Sequence, residues 1–246
     1  MIYSEPSFGS FTSKSEPRIS KRFFDFLVSF VGLIVLSPLI AVVACIVRTT
    51  SAGPVLFIQT RIQRYGKTFR CMKFRTMCTG AQTAGTITTA TDSRITKAGR
   101  VLRRYKLDEL PQLWNVLRGE MSFVGPRPDV PGYADRLHGD DRQLLELIPG
   151  ITGPATLLFR DEEELLTKVD DKMAFNDEVI YPEKVRINLE YMHTATFWRD
   201  IGYIVATVLP VLTRRLGIDQ RLGLDYAAFH KQMEQKALLY KSQGVF

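Results

Sequence analysis

Residues 26–47 read FLVSFVGLIVLSPLIAVVACIV, twenty-two residues in a row without a charge. That length reaches the ~20 residues a helix needs to cross a bilayer. A core helix of this length in a soluble domain would carry a polar face, and this one has almost none. Ser37-Pro38 stands in the middle, where proline removes a backbone hydrogen bond and clashes with the preceding turn. Cations flank both ends, Lys21-Arg22 before and Arg48 after, so the positive-inside rule draws both ends to the cytoplasm. A helix that enters one leaflet, breaks at Ser37-Pro38 and returns satisfies both features; a kinked single span is the alternative. In either case the Ser37 hydroxyl is placed to take a carbonyl freed by the break. Val42-Val43-Ala44-Cys45 imitates a lipoprotein cleavage box, but the apolar stretch is long for a signal peptide. Cys45 reads as apolar filler.

Around this segment the 246-residue chain is 45% apolar and 24% charged, which excludes disorder and low-complexity classes for most of it. Three cysteines make no disulfide framework, and Cys71 and Cys78 lack a nearby histidine for zinc. The net charge of +7 calls for a polyanionic partner: nucleic acid, nucleotide or anionic lipid headgroup. It is concentrated between Arg61 and Lys106, where twelve Lys or Arg face one acid, Asp92. From Asp161 to Glu190 the sign reverses, with ten acids against four bases. The chain divides into a polar, mobile tail (1–20), the membrane segment (21–48), a catalytic domain (49–215) and a C-terminal extension without readable chemistry (216–246). Near the end of the domain, Phe197-Trp198-Arg199 leads into an apolar run up to Leu212, either an interfacial amphipathic helix or a core helix.

The fold class is α+β, mostly helical with a small antiparallel β-hairpin. Val55–Gln59 and Thr68–Phe74 read as its strands, with Arg64-Tyr65-Gly66-Lys67 as the turn. Lys73 and Arg75 flank Phe74 and project to one face, a pair suited to a diphosphate, although an exposed strand edge also favours lysine. Residues 79–93 hold six threonines without periodicity and form a loop of lid-like length. A short cationic helix follows over 94–104. Leu110, Leu113, Trp114 and Leu117 then repeat as a buried helical stripe, with Asp108 at the N-cap and Pro111 in the first turn. An aspartate there is a favoured cap. It is equally a carboxylate whose ionised form is favoured beside Arg103 and Arg104, ready as nucleophile or metal ligand. In Gly125-Pro126-Arg127-Pro128-Asp129 the prolines hold Arg127 in a stiff, extended backbone, either a binding arginine or a plain turn.

Taken together, five motifs in order carry a resemblance: Gly53-Pro-Val-Leu-Phe, Lys73-Phe-Arg-Thr-Met77, Leu107-Asp-Glu-Leu-Pro-Gln112, Met121-Ser-Phe-Val-Gly-Pro-Arg-Pro128 and Pro149-Gly-Ile-Thr-Gly153. From Lys21 to Leu212 the chain resembles the bacterial sugar transferases, the small monotopic phosphoglycosyl transferases. The resemblance implies transfer of a sugar-1-phosphate from a UDP-sugar to polyprenyl (undecaprenyl) phosphate, with release of UMP and initiation of a polysaccharide. It places the chain on the inner membrane of a bacterium with its catalytic domain on the cytoplasmic face, among membrane lipids and without nucleic acid. A homodimer is left open. It implies a re-entrant helix broken at Ser37 and Pro38. It implies further that Asp108 attacks the β-phosphorus to give an aspartyl-phosphosugar, and that Glu109, with Asp108, holds Mg²⁺. Lys73, Arg75 and Arg103 would meet the diphosphate, and Arg127 the uridine side. Arg160 would keep the role of an arginine that many relatives carry in a different local sequence. Asn188 stands where many relatives have an aspartate, so no acidic role is carried to it.

Overall fold

The computed structural model describes residues 19–78 and 92–242. The expected tail (up to residue 18) and the threonine-rich stretch 79–91 lie outside the described residues. Helix α1 (Ile19–Val35) and helix α2 (Ser37–Thr50) meet at a bend of 63°. Pro38 has no N–H to offer Ile34, four residues back, and the Ser37 hydroxyl donates to that carbonyl instead at 2.7 Å. No single described helix is long and apolar enough to cross a membrane; this bent pair passes together, by length and composition.

The pair is inside-out. The buried residues of α1 are Asp25 and Ser29, whereas Phe23, Phe26, Leu27, Phe30, Val31, Ile34 and Val35 are exposed. Lys21 and Arg22 do not project outward as flanking charges. The Lys21 ammonium donates to the Val124 carbonyl (2.8 Å), the Tyr191 hydroxyl (3.1 Å) and Asp200 Oδ2 (2.6 Å). Arg22 donates to the carbonyls of Val116 and Leu117 at 2.6 and 2.8 Å, satisfying the end of a helix that has run out of N–H partners. Asp25 Oδ1 accepts from the Phe123 N–H at 3.2 Å. At the other end, Val43 and Val47 of α2 pack with Phe74 and Leu102.

Strands β1 (Leu56–Ile62) and β2 (Thr68–Phe74) pair antiparallel, Leu56 opposite Phe74 and Ile62 opposite Thr68. The expected hairpin is therefore present, with β1 starting one residue later and ending three residues later than its reading. Helix α3 (Lys97–Arg104) is capped by Thr96 and packs so closely that a Cβ on Gly99 would lie 2.1 Å from the Thr76 carbonyl oxygen. Helix α4 (Gln112–Arg118) ends at Gly119, in left-handed backbone at φ 80°.

A second, parallel pair joins β3 (Ser122–Val124) to β4 (Gly150–Thr152). The sequence reading held no sign of it, although both strands lie in quoted motifs. The glycines of those motifs press backbone against backbone. A Cβ on Gly150 would sit 2.2 Å from the Gly125 nitrogen, and one on Gly125 would sit 2.2 Å from the Ile148 oxygen. Short helices follow: α5 (Pro154–Leu158), α6 (Glu162–Leu165) and α7 (Lys172–Phe175), then the longer α8 (Tyr181–Thr194).

Helix α9 (Phe197–Val208) combines both readings of its sequence. It buries Asp200, Tyr203 and Ala206 while Trp198 and Val208 stay exposed, as do Val211 and Leu212 of α10 (Pro210–Arg215). The C-terminal stretch, α11 (Ile218–Arg221) and α12 (Tyr226–Ser242), is folded against the domain. Met233 and Ala237 of α12 join Phe175, Ile180 and Ile187 in one core cluster.

Replacing Gly150 by alanine drives a methyl group into backbone that has no side-chain freedom to yield. Gly150→Ala is expected to cost about 3 kcal/mol, read as a lowered melting temperature of the purified protein; a melt like that of the wild type would contradict the close packing.

Candidate active site

Between α3 and α4 the chain makes one turn of 3₁₀ helix, Leu107–Glu109. Lys106 enters it in left-handed backbone, φ 57°, a conformation uncommon outside glycine. Asp108 therefore does not cap α4, as the spacing predicted: Pro111 holds that position, and no side chain caps the helix. The expected stripe is also rotated. Gln112, Leu113, Asn115 and Val116 face inward, and Trp114 is 47% exposed. The strand beside the turn needs polar partners, and Asn115 provides them. Its side-chain oxygen accepts from the Met72 N–H (3.1 Å), and its amide donates to the Arg70 carbonyl (2.8 Å) and Glu120 (2.7 Å). That clamp fixes the strand residue next to Lys73.

Asp108 and Glu109 are both buried. Glu109 Oε1 accepts from Lys73 Nζ at 2.9 Å and from Arg127 Nη2 at 2.5 Å. Asp108 Oδ1 is buried without a hydrogen-bond partner. The two carboxyls consequently part company. Burial pushes Asp108 up, and the charge of Glu109 adds to it against Lys73, Lys106 and Arg103. This reverses the expectation that cations would favour its ionised form, because desolvation at this depth outweighs them. For Glu109 burial also pulls upward, but Arg127 and Lys73 overcome it and hold the carboxyl well below the usual range. Lys73 is lowered, by burial first and Arg127 second, with Glu109 opposing; Arg127 is raised, chiefly by Glu109.

The other expected residues are dispersed around this centre. Arg75 is buried and donates through Nη2 to both the carbonyl and the hydroxyl of Ser51, each at 2.8 Å, so it grips the end of α2; its Nε and Nη1 have no partner. Arg103 pairs with Glu163 at 2.6 Å, although its charge reaches Asp108. Arg160 is exposed after α5 and bonded to none of the other candidates. Asn188 is buried in α8 with its side-chain oxygen unpartnered.

Two carboxylates with one orphaned oxygen fit Mg²⁺, which takes one or two protein carboxylates and completes its shell with substrate phosphate and water. They do not fit a metal held by protein alone: among the described residues no three acidic, His or Cys side chains gather.

The turn thus buries an acidic pair between a lysine and a Pro-Arg-Pro arginine. The profile of the family described as Bacterial sugar transferase matches residues 16–214. This chain belongs to that family. Over 198 residues it is 38% identical to an undecaprenyl-phosphate glucose phosphotransferase of Komagataeibacter xylinus, covering 77% of this chain and 35% of that protein. Over 201 residues it is 37% identical to the UDP-glucose:undecaprenyl-phosphate glucose-1-phosphate transferase of Escherichia coli K12, covering 78% and 40%. It is also 37% identical over 167 residues to the exopolysaccharide production protein ExoY of Sinorhizobium fredii, covering 61% and 74%. The chain thus spans well under half the length of the first two relatives. The match ends before α11 and α12.

Sequence reasoning missed Asn115, which clamps the strand beside Lys73, Glu163, which pairs with Arg103, and the linked group of Asp129, Tyr181 and Tyr133, of which Asp129 lies within reach of the Arg127 charge. Asp129 adjoins a quoted motif, but the tyrosines lie 48 positions apart with nothing to link them. Glu162 binds Lys184 at 2.6 Å.

Removing the charge of Glu109 while keeping its shape takes from Lys73 the main anion that sustains its protonated form. In Glu109→Gln the Lys73 amine should lose its proton at lower pH than in the wild type. Pulse acylation across a pH series, with Lys73 followed by peptide mass, is expected to show labelling shifted to lower pH; unchanged labelling would contradict the pairing.

Proposed function

We propose that this chain transfers a sugar-1-phosphate from a UDP-sugar to polyprenyl phosphate at the cytoplasmic face of a bacterial inner membrane, releasing UMP and starting a polysaccharide. The observation that carries this reading is the orphaned, buried carboxylate oxygen of Asp108 beside a Glu109 neutralised by Lys73 and Arg127.

A diphosphate repels an incoming anion, so a carboxylate attacks it only where cations spread the charge. Lys73 has three N–H donors and Arg127 five, and each spends one on Glu109, leaving others for phosphate oxygens. Asp108, stripped of water and of hydrogen-bond donors on Oδ1, is a nucleophile with an unblocked lone pair. Its oxygen bonds to the β-phosphorus while the bond from that phosphorus to the bridging oxygen breaks, and the electron pair leaves with UMP. A phosphate oxygen of the lipid then bonds to the same phosphorus, and Asp108 regains its carboxylate. The two steps let UMP depart before the lipid occupies the same place. Mg²⁺, held by Asp108 and Glu109, would neutralise the diphosphate when bound.

Re-entry of α1 and α2 is supported by their attachments. Lys21, Arg22 and Asp25 tie the start of the pair to the domain, and Ser51 ties its end through Arg75. Both ends therefore belong on the side where the domain lies, which a spanning helix does not allow. The exposed apolar side chains of the pair would then lie in one leaflet, keeping Asp108 at headgroup depth.

Asp108→Asn is expected to lower UMP release in the presence of polyprenyl phosphate by at least about 10³-fold, while the protein still floats with membranes. Near-normal release would remove Asp108 from its role. In cells, cysteines placed at Ser20 and Ala52, with Cys45 and Cys78 replaced, should be shielded together from a membrane-impermeant thiol reagent added outside; labelling of one alone would show a span.

A further inference from the structure

The acidic stretch after Arg160, unused by the chemistry above, returns to the edge of the active site. Helix α6 is a single turn, Glu162–Leu165, followed by a turn of 3₁₀ helix, Leu166–Lys168. Leu165 and Leu166 are buried in the core cluster of Phe175 and Ile187, which fixes the backbone from the core side. The three glutamates before them, Glu162, Glu163 and Glu164, stay partly or fully exposed. Glu162 takes Lys184 of α8 at 2.6 Å, and its charge reaches Arg127. Glu163 takes Arg103 of α3, accepting from its Nη2 at 2.6 Å. Among the described residues this is the one side-chain bond that Arg103 makes, and it uses one of the five N–H donors of a guanidinium.

The charge of Arg103 acts on the Asp108 carboxyl together with those of Lys73 and Lys106. With Arg127 on Glu109, these cations converge on one turn of chain. Besides Asp108, two carboxylates answer them among the described residues, and they differ in how firmly they are held. The Glu109 side chain is 9% exposed and takes two cations at once; that of Glu163 is 42% exposed and takes one. Expelling Glu109 would leave buried charges unpaired, at heavy cost. An exposed pair is worth little, because water screens it and two long side chains lose freedom in making it. Glu163 is therefore the anion that a diphosphate can displace, by rotation of its side chain while Leu165 and Leu166 hold the turn in place. An uncovered arginine beside the cations of this site would attract any phosphate. Covered, it yields to a ligand carrying more negative charge than one carboxylate.

We propose that Glu163 stands in for the donor's phosphate in the empty site: an autoinhibitory carboxylate that covers Arg103 until the diphosphate takes its place. This rests on the transferase reading and adds to it a contact that must open before turnover. The test is binding of inorganic pyrophosphate, without Mg²⁺, to the full chain in nanodiscs. The proteins compared are the wild type, Glu163→Gln, Glu164→Gln, and Arg103→Met with and without Glu163→Gln. Glu163→Gln should bind about two- to fivefold more tightly than the wild type, the worth of one exposed ion pair. Glu164→Gln removes an equal charge from the next residue, which makes no bond to Arg103, and should stay within about 1.5-fold of the wild type. In the Arg103→Met background, Glu163→Gln should bring no gain, because the arginine it uncovers is gone. The proposal is overturned if Glu163→Gln binds no more tightly than the wild type; a loss would mean that Glu163 positions Arg103 rather than covers it. It is also overturned if Glu164→Gln gains as much, or if the gain survives without Arg103, since either would make it a general effect of charge. A wild type that bound no pyrophosphate would instead sink the transferase reading itself.

Discussion

Lys21 and Arg75 hold the two ends of the apolar helix pair to the same body, and the rest of the structure depends on that double attachment. The Lys21 ammonium is surrounded by Asp200, Tyr191 and the Val124 carbonyl, and Arg75 is locked to Ser51. Removing one partner from so enclosed a set leaves a charge with nowhere to go, which makes such ties strong determinants of geometry. Between them the chain has one soft point, Leu36-Ser37-Pro38, where a missing N–H permits the 63° bend and a serine hydroxyl repairs it. In the proposed topology this apolar segment, anchored at both ends and bent in the middle, would dip into a membrane and come back.

The same economy of charge governs the acidic pair. Asp108 and Glu109 are neighbours in one turn, yet their environments send them in opposite directions, Asp108 up through burial and Glu109 down through Lys73 and Arg127. One carboxyl is thus committed to holding cations and the other is left bare. The backbone that makes this division is the left-handed Lys106, which turns the chain sharply enough to bring Asp108 inside rather than onto a helix end. Arg127 reaches Glu109 because glycines 125 and 150 let two strands close to backbone contact.

Much of this was legible in the residues. The broken helix was readable because proline and an uncharged run of that length have few other meanings, and the β-hairpin because its turn and alternation are local. The family could be named because five motifs stand in order. The β3–β4 pair was hidden: three-residue parallel strands whose partners lie twenty-eight positions apart carry no periodicity, and their glycines signal close approach only once the partner is known. Asp108 was placed one turn wrong because a left-handed lysine has no sequence signature. Trp114 looked like core because its spacing was right, while the polar Asn115 and Gln112 took the inward positions that the adjacent strand edge required. Arg75 was given to the diphosphate by its nearness to Lys73, yet it turns to Ser51. The docking of α12 rests on scattered apolar residues in a helix polar enough to read as an extension.

The central claim is a carboxylate made nucleophilic by isolation, and one measurement addresses it without an acceptor. Purified full-length protein is incubated with a UDP-sugar and Mg²⁺, quenched with acid, digested and weighed by mass spectrometry. The account predicts a peptide containing Asp108 heavier by one phosphosugar, appearing with stoichiometric UMP and vanishing when polyprenyl phosphate is added. A preparation proven active that forms product yet never carries that mass, on Asp108 or with any release of UMP before acceptor, would contradict it.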